Sequence, residues 1–244
     1  MSTLDLSAAA VARPASHSSL GALGRSLVAV GTALGIVMVS LAMLLTPLYL
    51  HAAHDVARSA DVLSYSRAET LAISDRTVSE MIAGPGTFAI AAPDGSPFYQ
   101  PSEAAHLRDA RFVLYAFALL SLTAAALALI NLTRRRRDAA AWRALGRGAG
   151  ALAAGVAVVG ILFALTFDLM FELFHRLFFP GGNWAFDPTS QRLVQLYPIA
   201  FWQVTVGALA VLTIAGGALV WWMARRRARS LAASIDVEDA PWRG

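Results

Sequence analysis

The chain has 244 residues, of which 57% are hydrophobic and 15% are charged, and its formal net charge is +4. Soluble proteins use about 45–50% apolar and about 25% charged residues, so the excess of apolar side chains predicts burial in a lipid bilayer. Because the sequence has no cysteine and all 20 basic residues are arginine, disulfides, thiolate ligands, cysteine nucleophiles and lysine Schiff bases are excluded.

Four charge-free stretches predict an all-α membrane protein with four transmembrane helices. Each is close to the roughly 20 apolar residues that cross a hydrocarbon layer of about 30 Å. The first is longer than the apolar region of a cleavable signal peptide, about 7–15 residues, and this favours a retained helix. The predicted spans are 26–50, 112–133, 148–167 and about 198–223, within a transmembrane domain of residues 26–224 flanked by tails at 1–25 and 225–244.

Glycines recur in three of these spans at spacings that let helix backbones approach one another closely. They are Gly31, Gly35, Gly150, Gly155, Gly160, Gly216 and Gly217. This pattern predicts a compact helix bundle.

The arginines predict which side of the membrane each connection occupies. The two tails and the loop between the second and third spans carry thirteen arginines and five acidic residues, whereas the outer segments carry seven arginines and eleven acidic residues. The positive-inside rule therefore predicts that both termini are cytoplasmic. The same rule accounts for the arginine runs at 134–137 and 225–229, which disfavours a nucleic-acid-binding role for them.

Two extracytoplasmic segments, 51–111 and 168–197, are predicted to form a small cap over the bundle. The first begins with a polar stretch compatible with helix, 55–81, and continues with a β-hairpin around the turn Pro93-Asp-Gly-Ser. The cap is too small to form an independent domain.

The second outer segment contains the most informative motif in the chain. Asp168, Glu172 and His175 lie at positions i, i+4 and i+7, which places them within an arc of about 60° on one helix face. We predict that the third span continues out of the membrane as this helix until Pro180-Gly-Gly ends it. A solvated face on an interfacial helix is the alternative explanation of the stripe.

A second glutamate–histidine pair precedes the second span, where Glu103 and His106 are followed by Asp109. Histidine exchanges protons near neutral pH, and a carboxylate partner fixes its tautomer and raises its basicity. The two pairs predict two imidazoles across one cleft at the outer mouth of the bundle. A di-iron site is disfavoured because the first and fourth spans supply no acidic ligand, whereas a single zinc ion held by His106, His175 and a carboxylate stays open.

In residues 167–188, FDLMFELFHRLFFPGGNWAFDP, the chain resembles the signature of a bacterial four-span membrane family. The Glu103-x-x-His106-x-x-Asp109 element resembles the family's other hallmark, and the resemblance extends over about residues 27–222. The family includes the lipoprotein intramolecular transacylase of Gram-positive bacteria. The resemblance implies an enzyme of the bacterial cytoplasmic membrane that moves the sn-2 acyl chain of a diacylglyceryl lipoprotein onto the amino group of its N-terminal cysteine.

On this resemblance, the two histidines are expected to be the catalytic residues. His175 would be the general base, oriented by Glu172 or Asp168, and His106 the second acid–base group or oxyanion donor. The other expected supporting residues are Glu103 and Asp109 behind His106, the donors Arg176, Asn183 and the backbone around Trp184, and Asp187. The expected partners are membrane lipid and the diacylated lipoprotein, with no cofactor, metal or nucleic acid, and the oligomeric state stays open.

Two other functions remain open from the sequence. A non-enzymatic accessory or binding subunit of an envelope complex would use the aromatic helix without proton chemistry. A zinc-dependent membrane hydrolase would need a metal at the histidines. A transporter or channel is disfavoured because no charged residue lies inside any span.

Overall fold

Helices make up most of the computed structural model, which describes residues 21–238, with side chains to residue 234. In that range the helices are α1 (Ala22–Leu44), α2 (Pro47–Ala57), α3 (Ser59–Leu63), α4 (Arg67–Ile82), α5 (Pro101–Arg134), α6 (Ala139–Leu165), α7 (Phe167–Phe178), α8 (Arg192–Leu196) and α9 (Ile199–Glu238). Helices α1, α5, α6 and α9 are long and apolar enough to cross a membrane, which confirms the predicted fold class. Of the predicted tails, residues 1–20 and 239–244 lie outside the described residues.

Proline decides where two of the helices begin. Helix α1 ends at Leu44 rather than at residue 50, and α2 starts at Pro47. Proline has no N–H with which to continue a helical ladder, but it is well tolerated in the first turn. Helix α5 likewise begins at Pro101, ahead of the predicted span 112–133, so that His106 lies near the start of a membrane-spanning helix.

The predicted continuous helix from the third span to Pro180 is wrong at Thr166. This residue has φ −138° and ψ 48°, outside the helical region, and it separates α6 from α7. Its hydroxyl donates to the carbonyl oxygen of Leu162 at 2.8 Å and so satisfies one acceptor at the end of α6. The helix that carries His175 is therefore a separate element.

Small residues bring the long helices into close contact. A side chain at Gly31 of α1 would collide with the backbone of Ala124 in α5, and one at Gly148 of α6 would collide with Ala29 in α1. These contacts place the start of α1, the end of α5 and the start of α6 at the same end of the bundle. Gly155, which was also predicted to pack, has open space around its Cα.

The lipid-facing surface of the bundle is strongly apolar. Leu119, Val158 and Val211 are 70%, 61% and 67% exposed on three of the long helices. Such exposure would be unfavourable in water, but in hydrocarbon it costs nothing, since the helical backbone satisfies its own hydrogen bonds.

The main buried hydrophobic cluster lies in the cap, not between the spans. It is built around Phe88, Phe98, Leu63 and Leu196, all at most 2% exposed, and it includes Phe201 at the start of α9. Two of these side chains, Phe88 and Phe98, lie in the two arms of the predicted β-hairpin. That hairpin is reduced to a turn with one isolated antiparallel bridge between residues 91 and 97, and the described residues contain no strand.

A buried carboxylate joins the two outer segments. Glu103 is 0% exposed and accepts the backbone N–H of Gln100 at 2.7 Å and that of Leu193 at 2.6 Å. The first bond completes a capping box at the start of α5, and the second holds the start of α8. Contrary to the prediction, Glu103 therefore supports the backbone and does not stand behind His106.

Replacing Glu103 with alanine should destabilise the protein by roughly 1–3 kcal/mol, because the buried N–H of Leu193 loses its acceptor. The measurement is the midpoint of thermal denaturation in detergent micelles. The matched control is Glu172→Ala, which removes an exposed ion pair with Arg176 that is worth about 0–1 kcal/mol. Equal midpoints for the two variants would contradict the structural role of Glu103.

Candidate active site

Two helices from different outer segments bring His106 and His175 together. His106 lies near the start of α5, His175 lies near the end of α7, and their ring centroids are 6.0 Å apart with an interplanar angle of 26°. The residues are only 8% and 9% exposed. Two nearly parallel imidazoles therefore face one another in surroundings that are largely shielded from solvent.

The ring of His175 is oriented by its own helix. Its Nδ1 lies 2.8 Å from the carbonyl oxygen of Phe171, and the two rings are 4.1 Å apart. A carbonyl oxygen can only accept, so Nδ1 carries the proton in the neutral ring and Nε2 has a free lone pair. Burial lowers the pKa of His175 below its usual value, and the Phe171 carbonyl partly opposes this effect.

The acidic residues of the predicted stripe do not orient His175. Glu172 forms an ion pair with Arg176 at 2.5 Å, on a side of α7 where both side chains are substantially exposed, and Asp168 is exposed. This corrects the prediction that Glu172 or Asp168 holds the ring. Because Arg176 is committed to Glu172 and does not line the cavity at the histidines, its predicted role as an oxyanion donor also loses its support.

His106 has one partner and one unsatisfied nitrogen. Asn183 contacts its ring through a side-chain hydrogen bond, and the Asn183 amide nitrogen donates to Asp109 at 2.6 Å. The predicted residues Asn183 and Asp109 are thus brought to His106. Its Nδ1 is buried without a hydrogen-bond partner among the described residues. A buried polar atom without a hydrogen-bond partner destabilises the folded protein, and such atoms are typical of groups that bind a ligand.

Aromatic side chains enclose the histidine pair. The ring of Trp184 lies 5.0 Å from His175, and the rings of Phe179 and Phe186 lie 4.6 Å and 5.5 Å from His106. The loop that carries Trp184 is ordered by Asp187, which accepts the N–H of residue 189 at 2.9 Å and two hydroxyl groups. Asp187 therefore shapes the loop and makes no contact with the imidazoles.

A single cavity of about 620 Å³ has both histidines in its wall. Its other lining residues are mostly apolar and come from all of the described helices except α6, and from the loop between α7 and α8. They include Leu44, Tyr49, Met81, Phe171, Trp184 and Trp202. The size and the apolar lining suit a long hydrocarbon chain, because such pockets bind through apolar contact and orient the ligand with a few polar groups.

A third histidine, His54, is buried in the cap and was missed as a structural centre. Its two ring nitrogens lie 2.9 Å and 2.7 Å from the hydroxyls of Ser59 and Ser74, and Ser74 lies 3.4 Å from the Tyr197 hydroxyl. Burial lowers the pKa of His54 to about 4 and raises that of Tyr197 to about 12. The partners come from three separate segments, so no local spacing in the sequence reveals the network.

The chain is similar to known proteins over most of its length. The model of a family described as lipoprotein intramolecular transacylase matches residues 27–202. Three solved structures of this transacylase from Bacillus cereus resemble the fold. The first aligns with a TM-score of 0.73 and 16% identity, and the alignment covers 85% of this chain and 95% of the other. A variant with one histidine replaced by arginine aligns with a TM-score of 0.69 and 16% identity, and the alignment covers 87% of this chain and 93% of the variant. No curated protein sequence matches.

The buried His54 should make the stability of the cap depend on pH. Its pKa is about 4 in the folded protein and about 6.5 in the unfolded chain, so protons bind preferentially to the unfolded chain between these values. Lowering the pH through this window should destabilise the fold by up to about 3 kcal/mol. The midpoint of thermal denaturation should fall less steeply with pH in His54→Gln than in the unmodified protein, and identical slopes would contradict the assignment.

Proposed function

This chain belongs to the lipoprotein intramolecular transacylase family, and we propose that His106 and His175 catalyse its acyl transfer. The enzyme is a membrane acyltransferase, and its reaction moves the sn-2 acyl chain of a diacylglyceryl lipoprotein to the α-amino group of the N-terminal cysteine. The observation that carries the catalytic proposal is the 6.0 Å separation of two buried imidazoles in the wall of one apolar cavity.

Substrate chemistry explains why no protein nucleophile is needed. The attacking amine and the ester belong to one molecule, so the amine nitrogen adds to the ester carbonyl carbon directly. The bond between that carbon and the glycerol oxygen then breaks. One proton leaves the amine and one reaches the glycerol oxygen, which yields an amide and a free hydroxyl without consuming water. Holding the two groups in register supplies on the order of 7–11 kcal/mol of the barrier reduction.

His175 is the better placed general base. Its Nδ1 is bound to the Phe171 carbonyl, which leaves the Nε2 lone pair available for a proton from the amine. The lowered pKa of His175 keeps the ring neutral at pH 7, and the amine itself has a pKa of about 7.7–8 in water.

His106 acts on the oxygens of the ester, on the side of the reaction away from the amine. Its unpartnered Nδ1 has room for a hydrogen bond to the substrate, either with the oxyanion or with the departing glycerol oxygen. Asn183 is fixed by its hydrogen bond to Asp109, and it holds the ring of His106 in place. The ring separation lets both imidazoles reach the two heteroatoms of one tetrahedral centre.

The orientation in the membrane follows from the charge distribution. The bundle end opposite the cavity holds the arginine-rich loop between α5 and α6 and the arginine-rich end of α9, and we assign it to the cytoplasm. The cavity then opens at the outer leaflet of the bacterial cytoplasmic membrane, where a lipoprotein with its acyl chains in the bilayer can reach both histidines.

Substituting either histidine should abolish conversion of the diacyl lipoprotein to its lyso form. His106→Asn and His175→Asn each remove an imidazole needed for proton transfer, and general acid–base catalysis contributes about 10²–10⁴-fold to a rate. Mass spectrometry of a synthetic diacylated lipopeptide measures the conversion. The control is His51→Asn, which alters an outer histidine bonded to Asp75 at 2.9 Å. Full activity in both site variants, with normal thermal midpoints, would refute the mechanism.

Chelators should leave the activity unchanged. Among the described side chains, which end at residue 234, no group of three or more histidine or acidic residues is arranged to hold a metal ion. The test compares lipopeptide conversion before and after dialysis against EDTA, followed by addition of zinc. Loss of conversion with recovery on zinc addition would instead favour a zinc-dependent hydrolase.

A further inference from the structure

A basic pocket lies at the end of the bundle opposite the catalytic cavity. It is an open groove of about 380 Å³ between the start of α6 and the C-terminal half of α9. Four arginines and two tryptophans provide its polar and aromatic lining: Arg143, Arg147, Arg225, Arg229, Trp142 and Trp221.

The positions of the arginines follow from helix geometry. Arg143 and Arg147 are one turn apart on α6, and Arg225 and Arg229 are one turn apart on α9, so each pair projects from one face of its helix. The two faces meet because Gly146 allows close approach: a side chain there would lie 3.2 Å from the Cβ of Ala224. Four like charges are thus brought together around one groove.

Nothing in the described part of the protein neutralises these charges. Among the residues whose side chains are described, none of the four guanidinium groups forms an ion pair with a carboxylate. Arg225 instead lies over the ring of Trp221, with its guanidinium carbon 4.6 Å from the ring centroid. All four guanidinium groups are exposed, and together they form a positively charged groove that can donate several hydrogen bonds to one anion.

The tryptophans indicate that the anion is attached to a lipid. Trp142 is fixed by its indole N–H, which donates to the carbonyl oxygen of Arg136 at 2.9 Å, and Trp221 is 39% exposed at the end of the apolar part of α9, just before the arginines. Tryptophan at this level is typical of the boundary between hydrocarbon and headgroups. Positive inside placement accounts for the number of arginines, but not for their convergence with two indoles on one groove.

We infer that this pocket binds the phosphate of an anionic phospholipid in the leaflet opposite the catalytic site. The guanidinium forks donate to the phosphate oxygens, Trp142 and Trp221 contact the glycerol region, and the acyl chains extend along α6 and α9. The bound lipid bridges the two helices close to the contact between Gly146 and Ala224. This inference is independent of the reaction assigned to the histidines.

The test is a titration of the purified full-length chain in detergent with phosphatidylglycerol or phosphatidylcholine of identical acyl chains, followed by native mass spectrometry. The pocket variant is Arg143→Gln with Arg225→Gln. The control is Arg226→Gln with Arg227→Gln. It also removes two positive charges from this end of the bundle, but at residues that do not line the pocket. Arg147→Gln with Arg229→Gln serves as a second pocket variant, and thermal midpoints verify that each protein is folded.

Phosphatidylglycerol should bind the unmodified protein at least about tenfold more tightly than phosphatidylcholine. Either pocket variant removes two of the four guanidinium groups and should weaken that binding at least about tenfold, because each charge-assisted hydrogen bond contributes about tenfold or more to an affinity, while the control should change it by less than about threefold. Equal weakening by the pocket and control variants would overturn the site, since it would indicate a diffuse charge effect. Displacement of the lipid by millimolar inorganic phosphate would overturn the lipid assignment in favour of free phosphate.

Discussion

The carboxylate of Glu103 is the interaction on which the catalytic end of the molecule depends. It accepts one N–H at the start of α5 and another at the start of α8, which are far apart in the chain. The first bond fixes the helix that carries His106. The second fixes the segment that follows the aromatic loop around Trp184. Because one buried group holds both, the position of His106 relative to the cavity wall is set by a contact that never touches the substrate.

The cavity combines proton chemistry with exclusion of water. Both imidazoles are buried, and the rings around them belong to phenylalanine and tryptophan side chains. A transferase that handles an ester must prevent hydrolysis, which would release a free fatty acid in place of the amide. Apolar walls limit the access of water and strengthen every electrostatic interaction inside the site. The amine of the substrate then has no competitor for the ester carbonyl.

Much of the fold and part of the site could be predicted from the sequence. Charge-free stretches identify membrane spans because hydrocarbon tolerates few charges, and the two glutamate–histidine spacings led to imidazoles that the structure brings together. The partners of the histidines could not be predicted. Helical spacing placed Glu172 near His175, yet Glu172 pairs with Arg176 in solvent and the backbone of Phe171 occupies the ring nitrogen. Likewise, Glu103 has backbone partners, and one of them comes from a distant segment.

The break at Thr166 separates two properties that a single long helix would couple. His175 and the carbonyl that sets its tautomer both belong to α7, so their hydrogen bond does not depend on how this short helix is placed against the span before it. The separation from His106 and the burial that lowers the pKa of His175 depend instead on how α7 packs against other elements. The tautomer of the base is therefore set within one short helix, whereas its distance from the second imidazole is set by contacts between separate elements.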